Sequence, residues 1–367
     1  MKQITVTILL FVMTVGLASA ESIQRELEAR PGETLEVILR SGSIEILGWD
    51  RSAVSIDATT AGGGASNVDV IRTDRGLTIE ERRSARGNLR HLRINVPRRF
   101  NLELDTMGGT ISVTGVEGSL RGTTLGGDLD LSRLGGQVEM RTHGGNVTLR
   151  DSNVDGSVTT MGGRVLMENV VGDVQGTSMG GNVVSRNLTR RDGRSTGKAV
   201  VISTMGGEIE VADAPAGAEL STMGGNVHVA RAGSFVKART MGGTIRLDAV
   251  DGWIEAKTMG GDIEATMVGD PQRGDRHVLI DSKGGDIELT VPAGLQMEID
   301  IEVAFTRDSG RNYAIRSDFP LSTTTTPEWD YDHGTARRYI QGKGKAGSGA
   351  HKVTIRTING DVRLRKR

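Results

Sequence analysis

The sequence predicts an all-β chain: a right-handed parallel β-solenoid (β-helix) with rungs of about 18 residues and two short strands per rung. Three observations predict it. Ten Gly-Gly pairs recur, with first glycines at Gly108, Gly126, Gly144, Gly162, Gly180, Gly206, Gly224, Gly242, Gly260 and Gly284; seven of the nine intervals are 18 residues. Within each interval apolar residues alternate at period two, as at Ile111 and Val113, which marks a half-buried strand. Glycine supplies 52 of 367 residues, while Trp, Tyr and Phe together supply 11. Two sheets facing each other at about 10 Å have room for Val, Ile, Leu and Thr but little for rings. Parallel crossovers are right-handed by default.

Residues 1–20 read as a secretory signal, with Lys2 before an apolar run over 4–17 and an A-x-A site at Ala18-Ser19-Ala20. The mature chain, 21–367, is expected to be one continuous domain in the periplasm or at the cell surface, with no transmembrane segment once the signal is removed. There is no cysteine, so neither a disulfide nor a thiolate metal centre holds the fold together. Net charge is −1, which argues against a nucleic-acid partner.

Residues 21–100 are expected to form irregular rungs that cap the first end. Ser43 to Trp49 resembles one rung strand, and Ile94-Asn95-Val96-Pro97 leads into the regular array of 101–290. A solenoid end exposes unpaired strand edges and needs such protection. In each regular rung one turn is Gly-Gly and the other is a Val-x-Gly corner, as at Val116 to Gly118. The Gly-Gly turn needs either positive φ or a path so close to the next coil that a Cβ would clash. Two insertions, between Leu188 and Ala199 and between Val268 and Arg276, are expected to protrude from the same edge and carry Arg190, Arg191, Arg194, Lys198, Arg273 and Arg276; they read as two solvated loops, with a shared basic edge as the alternative. Residues 291–367 form the second cap, with a mobile Thr-, Gly- and Lys-rich loop about 322–350 and a closing rung at 353–358 and 362–364.

Three columns follow from the register. The residue two before each Gly-Gly is Thr or Ser, from Thr106 to Ser282, and its parity points it inward as a hydroxyl ladder for backbone groups. The next residue points outward: Met107, Leu125, His143, Met161, Met179, Met205, Met223, Met241, Met259 and Lys283. The residue after Gly-Gly is polar, as at Asp128, Asn146 and Asp262.

Candidate surface-binding residues are Met161, Met179, Met205, Met223, Met241 and Met259, with Trp329 and Tyr331 in the ring-rich C-terminal section. The methionines have two readings. They shield the bare glycine turns, or they offer soft thioethers to Cu(I) or an apolar surface to a partner. A calcium roll needs G-G-x-G-x-D, but Gly126-Gly127-Asp128-Leu129 places leucine where glycine is required. A polysaccharide-cleaving site needs paired carboxylates in an aromatic-lined groove, and rings are expected to be absent from the regular rungs. No catalytic residue, cofactor or resident metal is assigned. Arg273-Gly274-Asp275 matches the tripeptide that integrins recognise, and three letters carry no weight.

The order of signal peptide, GSIEILGWD (42–50), INVPRRFNLELDTMGGTISV (94–113), repeated TMGG, IRSDFPL (315–321) and VTIRTINGDVRL (353–364) resembles a bacterial exported domain of unknown function known as a "putative adhesin", similar to GIN-domain auto-transporter adhesin heads. The resemblance covers about 33–367 and implies a β-solenoid without catalytic residues. The expected function is therefore an exported, non-catalytic adhesin or envelope-binding protein for an unknown glycan or protein ligand. A polysaccharide-active β-helix enzyme and a purely structural envelope protein are the alternatives, and the sequence leaves the oligomeric state open.

Overall fold

The structure, a computed structural model, describes residues 22–60, 68–82, 89–189, 199–332 and 334–367. Among these there are 31 strands, one 3₁₀ turn at Arg307–Ser309 and no α-helix. The chain is all-β, and hydrogen bonds link its strands into one large sheet.

The regular part pairs in parallel with a constant shift. Glu117–Thr124 lies on Gly135–Thr142 with Leu120 opposite Val138 and Thr124 opposite Thr142. The other side of the rung follows suit, with Leu129 opposite Ile111 and then Val147. A shift equal to the sequence period stacks like residues on like residues. The inward positions Ile111, Leu129, Val147, Val165, Val183, Ile209, Val227, Ile245, Ile263 and Ile287 therefore form one buried file. Burying each such side chain is worth about 1.5–3 kcal/mol. Both insertions leave this file intact. Val183 pairs with Ile209 across the first and Ile263 with Ile287 across the second.

The Gly-Gly turns use close approach, not positive φ. None of the ten pairs has a φ in the left-handed region. A Cβ on the second glycine of each pair would collide with the carbonyl of the rung before it, as Gly127 on Gly109 or Gly163 on Gly145. A Cβ on the first glycine would meet ordinary contacts or none, 3.5 Å from Gly144 O in the case of Gly162, except at Gly206, where Gly180 O would lie 3.2 Å away. Left-handed residues gather at the opposite corner, where Arg133, Asp151, Asn169 and Asn187 recur every 18 residues. There Asn169 donates to Asp151 at 2.9 Å and Asn187 to Asn169 at 3.0 Å.

The inward hydroxyls from Thr124 to Thr258 do two jobs each. Thr160 Oγ1 donates to Gly145 O in the rung before at 2.7 Å and accepts from Gly163 N–H in its own turn at 3.1 Å. The same pair of bonds recurs at Thr124, Thr142, Ser178, Thr204, Thr222, Thr240 and Thr258. The donating bond extends to both ends, from Thr106 to Gly42 O and from Thr357 to Gly285 O.

The two ends differ from the expected order of rungs. Thr34–Leu39 lies between Asn101–Thr106 and Gly76–Glu81, and Ser43–Trp49 lies between Ile111–Thr114 and Leu89–Pro97. The regular array thus stacks on residues 34–49, and the Ile94-Asn95-Val96-Pro97 strand sits one rung further out. At the other end, His351–Ile358 inserts between Val278–Ser282 and Met297–Thr306. The expected closing rung is therefore covered by an earlier part of the chain.

The stretch 322–350, expected as a loop, contains strands Ser322–Thr325 and Arg337–Ala346. The second of these runs antiparallel to Met297–Thr306 through ten residue pairs. Its alternation is masked in sequence by Gly342 and Gly344, where a side chain would strike Ile315 and Leu321.

Two substitution pairs test these contacts. Gly163→Ala should destabilise the fold by about 1–3 kcal/mol, while Gly162→Ala should change it by less than about 0.5 kcal/mol; urea unfolding distinguishes them. Thr160→Val keeps the shape but strands a buried amide and carbonyl, for an expected loss of about 1–3 kcal/mol. Thr160→Ser, which matches Ser178 and Ser282 in the same column, should recover most of that loss.

Candidate functional site

The site candidate is an edge built by the turn itself. Because the hydroxyl two before Gly-Gly must point inward, the next side chain must point out. The outward methionines from Met179 to Met241 are tied to one another through the backbone. Met205 N–H donates to Met179 O at 3.0 Å, and Met223 N–H to Met205 O and Met241 N–H to Met223 O both at 3.1 Å. Nine successive turns from Met107 to Met259, at about 4.8 Å per paired strand, make a row about 38 Å long.

The row is exposed throughout its apolar members. Relative exposure runs from 42% at Met161 to 59% at Met107, with Leu125 in the same state. Four further methionines, Met140, Met167, Met267 and Met297, are buried in the core. His143 stands half-buried between Leu125 and Met161, and its Nδ1 is enclosed without a hydrogen-bond partner among the described residues. Lys283 ends the row and pairs with Asp281 at 2.9 Å. One rung on, Ile358 takes the outward place, in a Thr357-Ile358-Asn359-Gly360 turn that follows the same pattern: Gly360, like each second glycine, lies against the carbonyl of the rung before, Gly285.

A polar ladder runs beside the row. Asn146 N–H donates to Asp128 Oδ1 at 2.6 Å, Arg164 N–H to Asn146 Oδ1 at 2.9 Å and Asp286 N–H to Asp262 Oδ1 at 2.8 Å. These side chains are spent on backbone amides. Arg311 bridges Asp286 and Asp361 at the ladder's end, at 3.4 and 3.0 Å, and the two carboxylates hold its guanidinium above its ordinary pKa, Asp361 most strongly.

The ring-bearing candidates lie elsewhere. Trp329 is half-buried and packs edge-on against Phe305 at 5.8 Å, with the Arg338 guanidinium 5.7 Å from its centroid. Tyr331 is 63% exposed. Nearby, the Tyr339 hydroxyl donates to Asp330 Oδ2 at 3.0 Å; burial first, and that carboxylate second, push the phenol above its usual pKa. Trp329 and Tyr331 thus lie among the C-terminal strands, away from the turn at Lys283 that ends the methionine row.

Two side-chain groups correct the sequence expectations. Rings do occur in the regular rungs. Phe235 and Trp253 stack at 4.8 Å with 8° between their planes, and their 18-residue spacing was the available signal. Gly217, one rung before, leaves the room, since a Cβ there would strike the Phe235 ring. Arg276 does not join a basic edge. It is 2% exposed and donates to Arg273 O, Val268 O and Asp251 Oδ1 at 3.0, 2.7 and 2.5 Å, pinning its loop. Arg190, Arg191, Arg194 and Lys198 lie outside the described residues.

Asp275, His277 and His351 bring ligand-type atoms within 4.8 Å of one another. His277 Nδ1, however, accepts from Lys352 N–H at 2.8 Å. The ring proton then sits on Nε2, 3.5 Å from Asp275 Oδ1. A metal at Nε2 would have to displace that proton while Nδ1 keeps accepting, which neutral imidazole does not allow.

No family model and no curated protein matches this chain. Among solved structures, a "putative adhesin" from Bacteroides fragilis is 12% identical, with a TM-score of 0.27 over 94% of this chain and 98% of that one. A "putative adhesin" from Parabacteroides distasonis is 12% identical, with a TM-score of 0.34 over 74% and 97%. A "putative cell adhesion protein" from Clostridium sporogenes is 7% identical, with a TM-score of 0.16 over 95% and 100%. At these TM-scores the likeness carries no argument about this chain.

Proposed function

We propose that the chain is an exported, non-catalytic rod, a right-handed parallel β-solenoid that binds an envelope or surface ligand as an adhesin or envelope-binding protein. The observation that carries this reading is the outward row of apolar side chains held at rung spacing along one edge. The constant 18-residue parallel shift supports a solenoid, and the default hand of parallel crossovers makes it right-handed. The N-terminal signal and the resemblance of 33–367 to exported adhesin-like domains support export. Among the described residues no helix is long and apolar enough to cross a membrane.

The row alone is a narrow surface. At about 38 Å by about 10 Å it offers about 400 Å², roughly half of what one side of a standard protein interface buries. A macromolecular ligand would therefore reach over the row onto the polar ladder beside it, and a second contact would fall on Trp329 and Tyr331 in the cap.

Protease shaving of intact cells, with osmotic shock as control, tests the location. Cleavage on intact cells supports an adhesin, and protection until the envelope opens supports a periplasmic envelope binder. Met179→Ser with Met205→Ser should weaken binding to isolated envelopes about tenfold while changing stability by less than about 0.5 kcal/mol. Unchanged binding in that variant and in Trp329→Ala would remove both surfaces from the reading.

A further inference from the structure

We propose that the thioether row from Met161 to Met259 binds soft monovalent metal ions, Cu(I) in chemical class, with His143 as a nitrogen donor at one end. This goes beyond the adhesive reading and does not depend on it.

Four observations converge on the row. Six methionines follow one another without interruption, and backbone bonds from Met179 to Met241 fix their order and spacing. Neighbouring Cα atoms lie about 4.8 Å apart, and the unbranched methionine side chain has three rotatable bonds, so two or three sulfurs can close on one ion. Thioether sulfur is soft and uncharged, which selects Cu(I) over Zn(II) or Ca(II).

Sulfur is not needed merely to cover the glycine turn. Leu125 holds the same place with the same exposure, 47%. An apolar side chain therefore suffices as a shield, yet six consecutive rungs carry methionine. Finally, His143 places an imidazole at the Met161 end of the run. Gly162 N–H donates to His143 O at 3.0 Å, which sets the two residues on adjacent rungs. The enclosed His143 Nδ1 has no hydrogen-bond partner among the described residues, and imidazole is a ligand for copper.

The row is also too narrow for a dimer by itself, at about 400 Å² against about 800 Å² per partner. An ion needs only two or three donors, so width does not limit it. Binding involves no change of oxidation state; the ion enters and leaves as a monovalent cation.

The test uses the secreted chain, residues 21–367, with methionine methyls labelled in carbon-13. It is titrated with Ag(I), a redox-inert stand-in for Cu(I), and then with Cu(I) against a competing chelator under reducing conditions. The expected result is uptake of more than one Ag(I) per chain, with shifts at the methyls of Met161, Met179, Met205, Met223, Met241 and Met259. The methyls of the buried Met140, Met167, Met267 and Met297 serve as internal controls and should stay in place. Changing Met179, Met205, Met223 and Met241 together to Leu keeps the row apolar and should lower Ag(I) affinity at least tenfold. Static outward methyls, or equal Ag(I) binding by the Leu variant, would overturn the proposal. The same variant separates the two readings: loss of Ag(I) with envelope binding retained supports metal binding here and leaves the adhesive reading standing.

Discussion

One hydroxyl per rung sets the geometry of the whole edge. From Thr124 to Thr258, each Thr or Ser before a glycine pair closes its own turn and holds the carbonyl of the turn beneath it. That double role requires the hydroxyl to be buried, at a point where two backbones nearly touch. The second glycine must then be bare, because the carbonyl below occupies the space a Cβ would take. The residue between hydroxyl and glycine has only the outside left to it. Three columns of the sequence therefore trace to one hydrogen-bonding requirement, since a buried backbone group without a partner costs about 1–3 kcal/mol.

The outward faces obey a separate constraint. A parallel stack in constant register sets each side chain over its counterpart in the next rung, so a column of like charge would repel along its length. Several outward neighbours carry opposite signs, although Glu264 faces Glu288 and Arg239 faces Lys257. Arg121 pairs with Glu139 at 3.5 Å, Arg150 with Glu168 at 3.5 Å and Arg246 with Glu264 at 3.3 Å. These pairs are largely exposed and individually worth about 0–1 kcal/mol. Their use is to avoid repulsion, while the buried files and the hydroxyl column hold the fold.

Where the period held, the sequence was legible. The spacing of the glycine pairs anticipated the parallel shift, the inward Thr column and the outward Met row residue by residue. Legibility failed where pairing ceased to follow chain order. Val278 meets Val353, a separation of 75 residues, after the shorter steps of every regular rung. Nothing local signals such a jump, because strand pairing depends on which edge is left free and not on propensity. Arg276 was misassigned for a related reason: charge in a loop usually means solvent, and only the fold shows three acceptors converging on it. The Phe235 and Trp253 pair carried its signal in plain view, as two rings one period apart. For the candidate binding residues, sequence parity located the edge, while the enclosed His143 nitrogen depended on packing.

The inserted final rung has a consequence for biosynthesis. Met297–Thr306 leaves a gap of one strand between itself and Val278–Ser282, and only His351–Ile358 fills it. A chain made amino end first supplies His351–Ile358 only after both of the strands it joins. Until then Val278–Ser282 and Met297–Thr306 lack the strand that joins them in the finished fold. Closure of this end of the sheet thus waits on a strand that lies 75 residues beyond one of its two neighbours.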